Sequence, residues 1–374
     1  MLPLKNIKIL DLSWYIPGPY CSMLLSDFGA EVIKIEPKTG DPSRRIPPFI
    51  EGEGAMFIAL NRNKKSLALN LKAAEGKEIF YKLASKADVI LESFRPGVTE
   101  RLGIDYDGVS KINKKIIYCS ISSYGQKGPL SDEIAHNVNS LARGGMIGSK
   151  APCIPGAPVA DLASGMFSAL AILIAVIGRS KTGKGEYIDI SMLDSVVSWM
   201  TPHLIGFFAD EKAERSESSL VGEPLSYGVF KAKDGYFTLG IIEPKFWLTF
   251  CKAIGREDLI NDQFARGKRR EEATKILNSV FSQKTREEWT GLLKQLPCAP
   301  VNRLDEIPSN PQLNYRKMFF EIGGIRQIAN PINFSEFRQK VNKPPKIGEN
   351  SEEILIDLGY DNRKINFLKN KGYV

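Results

Sequence analysis

Ile7–Ile35 reads IKILDLSWYIPGPYCSMLLSDFGAEVIKI, two apolar runs separated by a segment of helical character. Ile7–Leu12 (IKILDL) and Glu31–Ile35 (EVIKI) have the length and β-branched content of strands. Pro19–Phe28 reads as the helix between them, and Gly29 stands where a C-terminal cap belongs. The same pattern recurs downstream. Ser66–Leu71, Asp88–Leu91 and Ile116–Ile121 are further strand candidates, and Ala73–Ala87 is a further helix. This alternation predicts an α/β fold, a doubly wound, mostly parallel, Rossmann-like sheet with helices on both faces. Ligands of such sheets gather at the carboxyl ends of the strands. That points to the loops Ser13–Gly18, Glu36–Arg45, Glu92–Gly97 and Ser122–Gly128.

Beyond these strands come an apolar helix at Leu162–Ile177, the segment Gly185–Ser191, and a helix near Leu193–Phe208. Ala209–Gly222 is polar and charged and reads as a linker. The pattern then changes. Tyr227–Ile241 reads as two strands turning at Asp234-Gly235. Helices follow at Lys245–Ile254, Glu271–Phe281 and Thr285–Leu296, the last opened by the capping box Thr285-x-x-Glu288. The expected organisation is a large α/β domain over 1–208, a linker over 209–222 and a smaller α+β domain over 223–308. In the remaining segment, 309–374, the helices Ser351–Leu358 and Asp361–Leu368 return to the large domain.

At 374 residues the chain is long enough for two domains. The longest apolar stretch, Met166–Ile177, is expected to be a buried helix too short to cross a bilayer. Met1–Asp11 lacks the pattern of a signal peptide and the final NKGYV is no sorting address, so the expected location is cytoplasmic and no membrane partner is expected. Five cysteines (Cys21, Cys119, Cys153, Cys251, Cys298) stand far apart with no CxxC pair, as reduced thiols would. With only two histidines, His136 and His203, no histidine-rich metal site is expected. The net charge of +8 is spread along the chain without a nucleic-acid recognition motif, which fits a small polyanion carrying phosphates better than DNA or RNA.

Three residues are candidates for chemistry: His136 in IAHNVNSLARGG, Asp161 in PVADLASG and Glu243 in GIIEPKFW. A histidine and two carboxylates can remove a proton from one face of a carbon and return it to the other. Each also has an ordinary reading: a structural histidine, a helix N-cap at Asp161 and a turn-forming surface Glu243 before Pro244. Gly178-x4-Gly183-Lys184-Gly185 fails as a phosphate loop, because Gly185 replaces the Ser or Thr and the segment follows a helix. No GxGxxG fingerprint is present, so nothing marks a nicotinamide cofactor.

Several motifs in order carry a resemblance over the whole chain: IKILDLSWYIPGPYCSMLLSDFGAEVIKIEP, NRNKKSLALNLK, ADVILESFRPGVTERLGIDYD, IIYCSISSYGQKGPLSD, GKGEYIDISML and PPKIGENSEEILIDLGY. In these the chain resembles the family III CoA-transferases (the CaiB/BaiF type) and their relatives, the α-methylacyl-CoA racemases. The resemblance implies a homodimer with interlocked chains, an acyl-CoA substrate, and no cofactor other than the coenzyme A of that substrate. Transferases use the aspartate at the position of Asp161 as a nucleophile, and racemases use it for proton transfer. His136 lies where racemases carry G-H-D-I-N-Y and many transferases an aromatic residue. Glu243 lies in I-E-P-x-F, which in racemases supports the histidine. The resemblance thus implies an epimerase of 2-methylacyl-CoA thioesters, with His136 and Asp161 on opposite faces of the α-carbon. The alternative is a CoA-transferase with Asp161 as nucleophile. For coenzyme A it implies Arg101 as a phosphate ligand, Ser93, Phe94 and Arg95 beside the nucleotide, and Lys38 with Leu69, Asn70, Leu71 and Lys72 on the opposite wall. Trp14, Tyr15 and Ile16 are candidates for the acyl pocket. The surroundings are mixed. Asn137 replaces the racemase Asp, Ser140 replaces Tyr, and Gly40-Asp41-Pro42-Ser43-Arg44 is similar to the transferases.

Overall fold

The computed structural model describes residues 2–148, 152–210, 224–337 and 341–374. They form two compact units, a larger one of Met1–Met200 with Arg316–Val374 and a smaller one of Thr201–Tyr315.

The larger unit is built on six parallel strands: β1 (Lys8–Asp11), β2 (Glu31–Glu36), β5 (Lys64–Ala68), β6 (Val89–Glu92), β7 (Ile117–Ser122) and β8 (Glu186–Ser191). A two-residue hairpin, β3 (Phe49–Ile50) with β4 (Glu53–Gly54), interrupts the series. The spatial order is β5-β2-β1-β6-β7-β8. This is the doubly wound arrangement in which strand order reverses between β1 and β6, opening a crevice beyond their carboxyl ends.

Period-two alternation sends neighbouring residues to opposite faces. Leu10, Ile33 and Ile90 pack with Ile79, Phe80 and Leu83 of helix Ala74–Ala84. Ile9, Val32 and Val89 pack with Cys21 and Leu25 of helix Pro17–Ser26 and with Ile172 of helix Val159–Thr182. The last two helices touch at Gly165, where a Cβ would lie 2.5 Å from the Pro17 carbonyl, so only glycine permits the approach. Helices Ser351–Asp357 and Asn362–Asn370 insert Ile354, Leu355, Ile365 and Leu368 into the first of these cores.

Several boundaries differ from the sequence expectation. The first helix begins at Pro17, because proline at N1 needs no hydrogen-bond acceptor. β5 begins at Lys64 and ends at Ala68. The expected strand end over 69–71 is a turn held by Asn70, whose Oδ1 accepts the Lys72 N–H at 3.1 Å. Helix Val159–Thr182 has 24 residues and a mean hydropathy of 2.1 in its most apolar window, long and apolar enough to cross a membrane by those measures. The expectation that it is too short is thus corrected; one face of it is buried against the sheet. The expected single helix 193–208 divides into Met192–Trp199 and Thr201–Asp210, since Pro202 has no N–H to continue the ladder. The second piece belongs to the smaller unit, so the unit boundary lies at 200 and not at 208. The linker expectation over 209–222 falls almost wholly outside the described residues.

The smaller unit carries an antiparallel sheet of β9 (Tyr227–Ala232), β10 (Gly235–Gly240) and β11 (Cys298–Pro300). Helices Pro244–Ala253, Gly267–Phe281 and Arg286–Leu292 cover one face around Trp247, Phe250, Phe281 and Trp289. The capping box forms as expected: the Thr285 N–H reaches Glu288 Oε2 at 2.7 Å and the Glu288 N–H reaches Thr285 Oγ1 at 3.2 Å. In the larger unit, residues 319–328 form a further hairpin, β12 (Phe319–Ile322) with β13 (Ile325–Ile328).

Candidate active site

The crevice at the strand-order reversal is a cavity of about 1210 Å³ within the larger unit. The loop after β1 contributes Trp14 to Pro17, the loop after β6 contributes Ser93 to Pro96, and the cavity extends to His136 and Asp161. Every coenzyme A residue anticipated from the sequence lines it: Lys38, Leu69, Asn70, Leu71, Lys72, Ser93, Phe94, Arg95 and Arg101. Lys38, Lys72, Arg95 and Arg101 are all exposed. Among the described residues none of these four cations has a carboxylate within ion-pair distance, so each is available to a phosphate.

The walls are cross-tied. Ser93 Oγ accepts the Trp14 N–H at 3.0 Å, and the Trp14 and Phe94 rings meet edge to face at 5.6 Å. Tyr15, a non-glycine residue at φ 63°, holds a left-handed conformation in the loop that lines the cavity, a strain that clusters at ligand sites.

Beneath these loops lies a buried ionic network that the sequence reading missed. Glu36 accepts two bonds from Arg44, at 2.9 and 2.7 Å, and one from Ser66 Oγ at 2.6 Å. Lys34 Nζ sits 2.8 Å from Asp41 and also 2.8 Å from the Ser13 carbonyl oxygen. Asp41 Oδ1 accepts the Ser43 N–H at 2.8 Å, so the transferase-like Gly40–Arg44 segment is anchored by its own charges.

Asp161 is not the helix N-cap. Pro158 occupies that position, and Asp161 lies in the first turn of helix Val159–Thr182, half-buried in the cavity wall. Burial pushes its carboxyl up to about 6. Three amides at this helix start are already engaged. The Val159 N–H bonds to the Ala157 carbonyl oxygen at 2.9 Å, and the Leu162 N–H to that of Pro158 at 3.0 Å. The Ala160 N–H bonds to Asn137 Oδ1 at 2.8 Å. Asn137, the departure from the racemase Asp, therefore ties the histidine segment to the aspartate helix.

His136 caps helix Asn137–Arg143 with its backbone, and its N–H donates to Asn139 Oδ1 at 3.0 Å. Its imidazole is exposed toward the same cavity as Asp161. Glu243 is placed differently. It is the exposed N-cap of helix Pro244–Ala253 in the smaller unit and makes no capping bond, so the larger unit assembles two of the three expected residues. Among the described residues no cluster of His, Cys, Asp and Glu could hold a metal ion.

The arrangement sets four exposed cations, aromatic and apolar side chains and a carboxyl of raised pKa around one cavity. The family model described as CoA-transferase family III matches residues 4–351. Succinyl-CoA:glutarate CoA-transferase of Mus musculus is 33% identical over 395 residues, covering 100% of this chain and 91% of that protein. Acetyl-CoA:oxalate CoA-transferase of Acetobacter aceti is 32% identical over 363 residues, covering 93% of each. The crystal structure of a CAIB/BAIF family protein from Brucella suis superposes with a TM-score of 0.85 at 28% identity, covering 95% of this chain and 99% of that one. Sequence, fold and the set of residues around the cavity agree, and the chain belongs to CoA-transferase family III.

Proposed function

We propose that this protein moves coenzyme A from an acyl-CoA to a free carboxylic acid, with Asp161 as the nucleophile. The observation that carries this reading is a half-buried carboxyl lining the same cavity as four exposed cations that, among the described residues, have no carboxylate partner. The named relatives support it, and they displace epimerisation as the main reading, since those proteins are CoA-transferases. Both relatives' names include a dicarboxylate, and a small dicarboxylic acid is the acceptor we favour here.

In the proposed cycle the Asp161 carboxylate attacks the thioester carbonyl and expels CoA thiolate, forming a mixed anhydride. The thiolate then attacks the aspartyl carbonyl of that anhydride. This releases the donor acid and leaves an aspartyl-CoA thioester. The acceptor carboxylate attacks that thioester, again freeing thiolate. Thiolate attack on the acceptor's acyl carbon completes the new acyl-CoA and regenerates the carboxylate. Neither protons nor electrons are gained or lost overall, so the cycle needs no redox cofactor. His136, facing the same cavity, would donate a hydrogen bond to the incoming carboxylate.

Mixing an acyl-CoA with a free dicarboxylate should yield the exchanged thioester. Deuterium entering the α-carbon in deuterium oxide at the rate of turnover, without CoA exchange, would restore the epimerase. Because Asp161 must be ionised to attack and titrates near 6, kcat/KM should fall about tenfold per pH unit below 6 and level off above it. A profile flat from pH 5 to 7 would remove Asp161 as the titrating nucleophile.

We also propose a homodimer. Met166, Leu170, Ile174 and Ile177 line one exposed stripe of helix Val159–Thr182, at 48 to 60% exposure, and a second copy would cover it. Light scattering should give twice the chain mass; a monomer at micromolar concentration would refute the pairing.

A further inference from the structure

The Ser93–Arg95 wall of the cavity is held from behind by an acid that the transfer chemistry leaves unused. Glu92 ends β6, is 2% exposed, and accepts the Phe94 N–H on Oε2 at 2.7 Å. The Ser120 hydroxyl is hydrogen-bonded to the same carboxyl. Ser120 Oγ in turn accepts the Tyr187 O–H at 3.2 Å, and Tyr187 reaches solvent at 37% exposure.

Among the described residues, the charged and titratable groups around Glu92 give it no cation. Glu100, from helix Val98–Leu102, and Asp189 of β8 both disfavour its charge. Tyr118 and Cys119 of β7 and Tyr187 of β8 are the other titratable neighbours. On the β1 side Asp11 is committed to Lys64. Burial, with Ser120 and the Phe94 N–H opposing it, pushes the Glu92 carboxyl up to about 7. A buried carboxyl without a cation is costly, and the hydrogen bonds it accepts are what offset that cost.

We propose that Glu92 is a positioning residue for the acyl-CoA wall: its carboxylate fixes Phe94, against which Trp14 is set, and the Tyr187–Ser120–Glu92 chain of hydrogen bonds connects that hold to solvent protons. This rests on the reading of the cavity as the CoA-thioester site. An ionised carboxylate accepts the Phe94 N–H far more strongly than a neutral one. Protonation therefore loosens the wall, and coenzyme A should bind more weakly as pH falls through about 7.

The experiment is calorimetric titration of the full chain with coenzyme A at pH 6 and pH 8, for wild type, Glu92→Gln and Ser120→Ala. Glutamine keeps an acceptor for the Phe94 N–H but cannot titrate. Dividing the wild-type Kd by that of Glu92→Gln at each pH cancels the titration of the nucleotide phosphate and of Asp161. That ratio should rise about three- to tenfold from pH 8 to pH 6. Ser120→Ala, which removes a bond favouring the charged form, should move the transition to higher pH. A ratio that does not change with pH overturns the inference. So does a ratio that falls, because Glu92 would then act by repelling the polyanion and not by position. If the wild type binds no coenzyme A at either pH, the reading of the cavity itself fails, and the inference with it.

Discussion

Asp161→Asn should abolish CoA transfer and at the same time stabilise the protein. The amide cannot form an anhydride with the donor acyl group, so the loss of kcat should be at least about 10⁴-fold, the scale seen when a covalent nucleophile is removed. The stability gain follows from the same burial that tunes the carboxyl. A folded-state value near 6 against an ordinary 3.8 means that the native state disfavours the charge. The unfavourable contribution is absent below pH 3.8, develops as pH rises through 6, and is fully present at neutrality. Its upper limit is about 3 kcal/mol. Since the side chain is only half-buried and water screens it, about 1 kcal/mol is the expected gain. Melting of variant and wild type from pH 4 to 8 should show a gap of a few degrees that opens across that window. A variant that turns over at even one hundredth of the wild-type rate would exclude Asp161 as the nucleophile.

A carboxyl kept in a destabilised state needs a rigid frame, and much of that frame was legible in the sequence. The strands β1, β2, β6 and β7 announce themselves as short apolar runs because both faces of a parallel sheet are covered. The first helix is legible from its pattern, with bounds of Pro17–Ser26 in place of the expected Pro19–Phe28. His136, Asp161 and the residues anticipated for coenzyme A line one cavity, and each could be picked out because it sits in a motif. The charges inside the strands were not legible. Asp11, Lys34, Glu36, Lys64 and Glu92 look like solvent-side residues in any local window. They are buried because partners from other strands and loops meet them at the carboxyl end of the sheet, as Lys34 meets Asp41 and Lys64 meets Asp11. Pairing across a sheet is a property of strand order, which local periodicity does not encode. The tie from Asn137 to Ala160 is hidden for the same reason: it joins two elements through one side chain. Glu243 shows the converse, a motif legible in the sequence whose residue belongs to the smaller unit.

Lys64→Met should be the most destabilising single change in the larger unit, and it tests whether the buried network holds the first loop. Lys64 Nζ lies 3.0 Å from Asp11 Oδ2, with both side chains fully buried, and also bonds the Pro19 carbonyl oxygen at 3.1 Å and Asn61 Oδ1 at 2.8 Å. Burial alone would raise the Asp11 carboxyl. Lys64, Lys34 and the hydroxyls of Ser13 and Ser22 outweigh it and hold the group well below the usual carboxylate range. The contribution of Asp11 to stability is therefore present above the ordinary carboxylate pKa and is lost as pH falls through the depressed one. Methionine fills the volume but leaves Asp11 charged and short of its main partner, which should cost about 3–5 kcal/mol. Removing both charges, as Asp11→Asn with Lys64→Met, should recover most of that loss, because the penalty lies in the orphaned charge and not in the missing attraction. The neighbouring Lys65, whose pairs with Glu31 and Glu353 are solvent-exposed, is the control: Lys65→Met should cost under about 1 kcal/mol. Asp11 also accepts the Ser13 N–H at 3.0 Å, and the Pro19 carbonyl is held by Lys64, so both ends of the Ser13–Gly18 loop depend on this pair. At a temperature where the single variant remains folded, its coenzyme A affinity should fall together with its stability. A Lys64→Met protein as stable as the Lys65→Met control would mean that the network is not what fixes the loop.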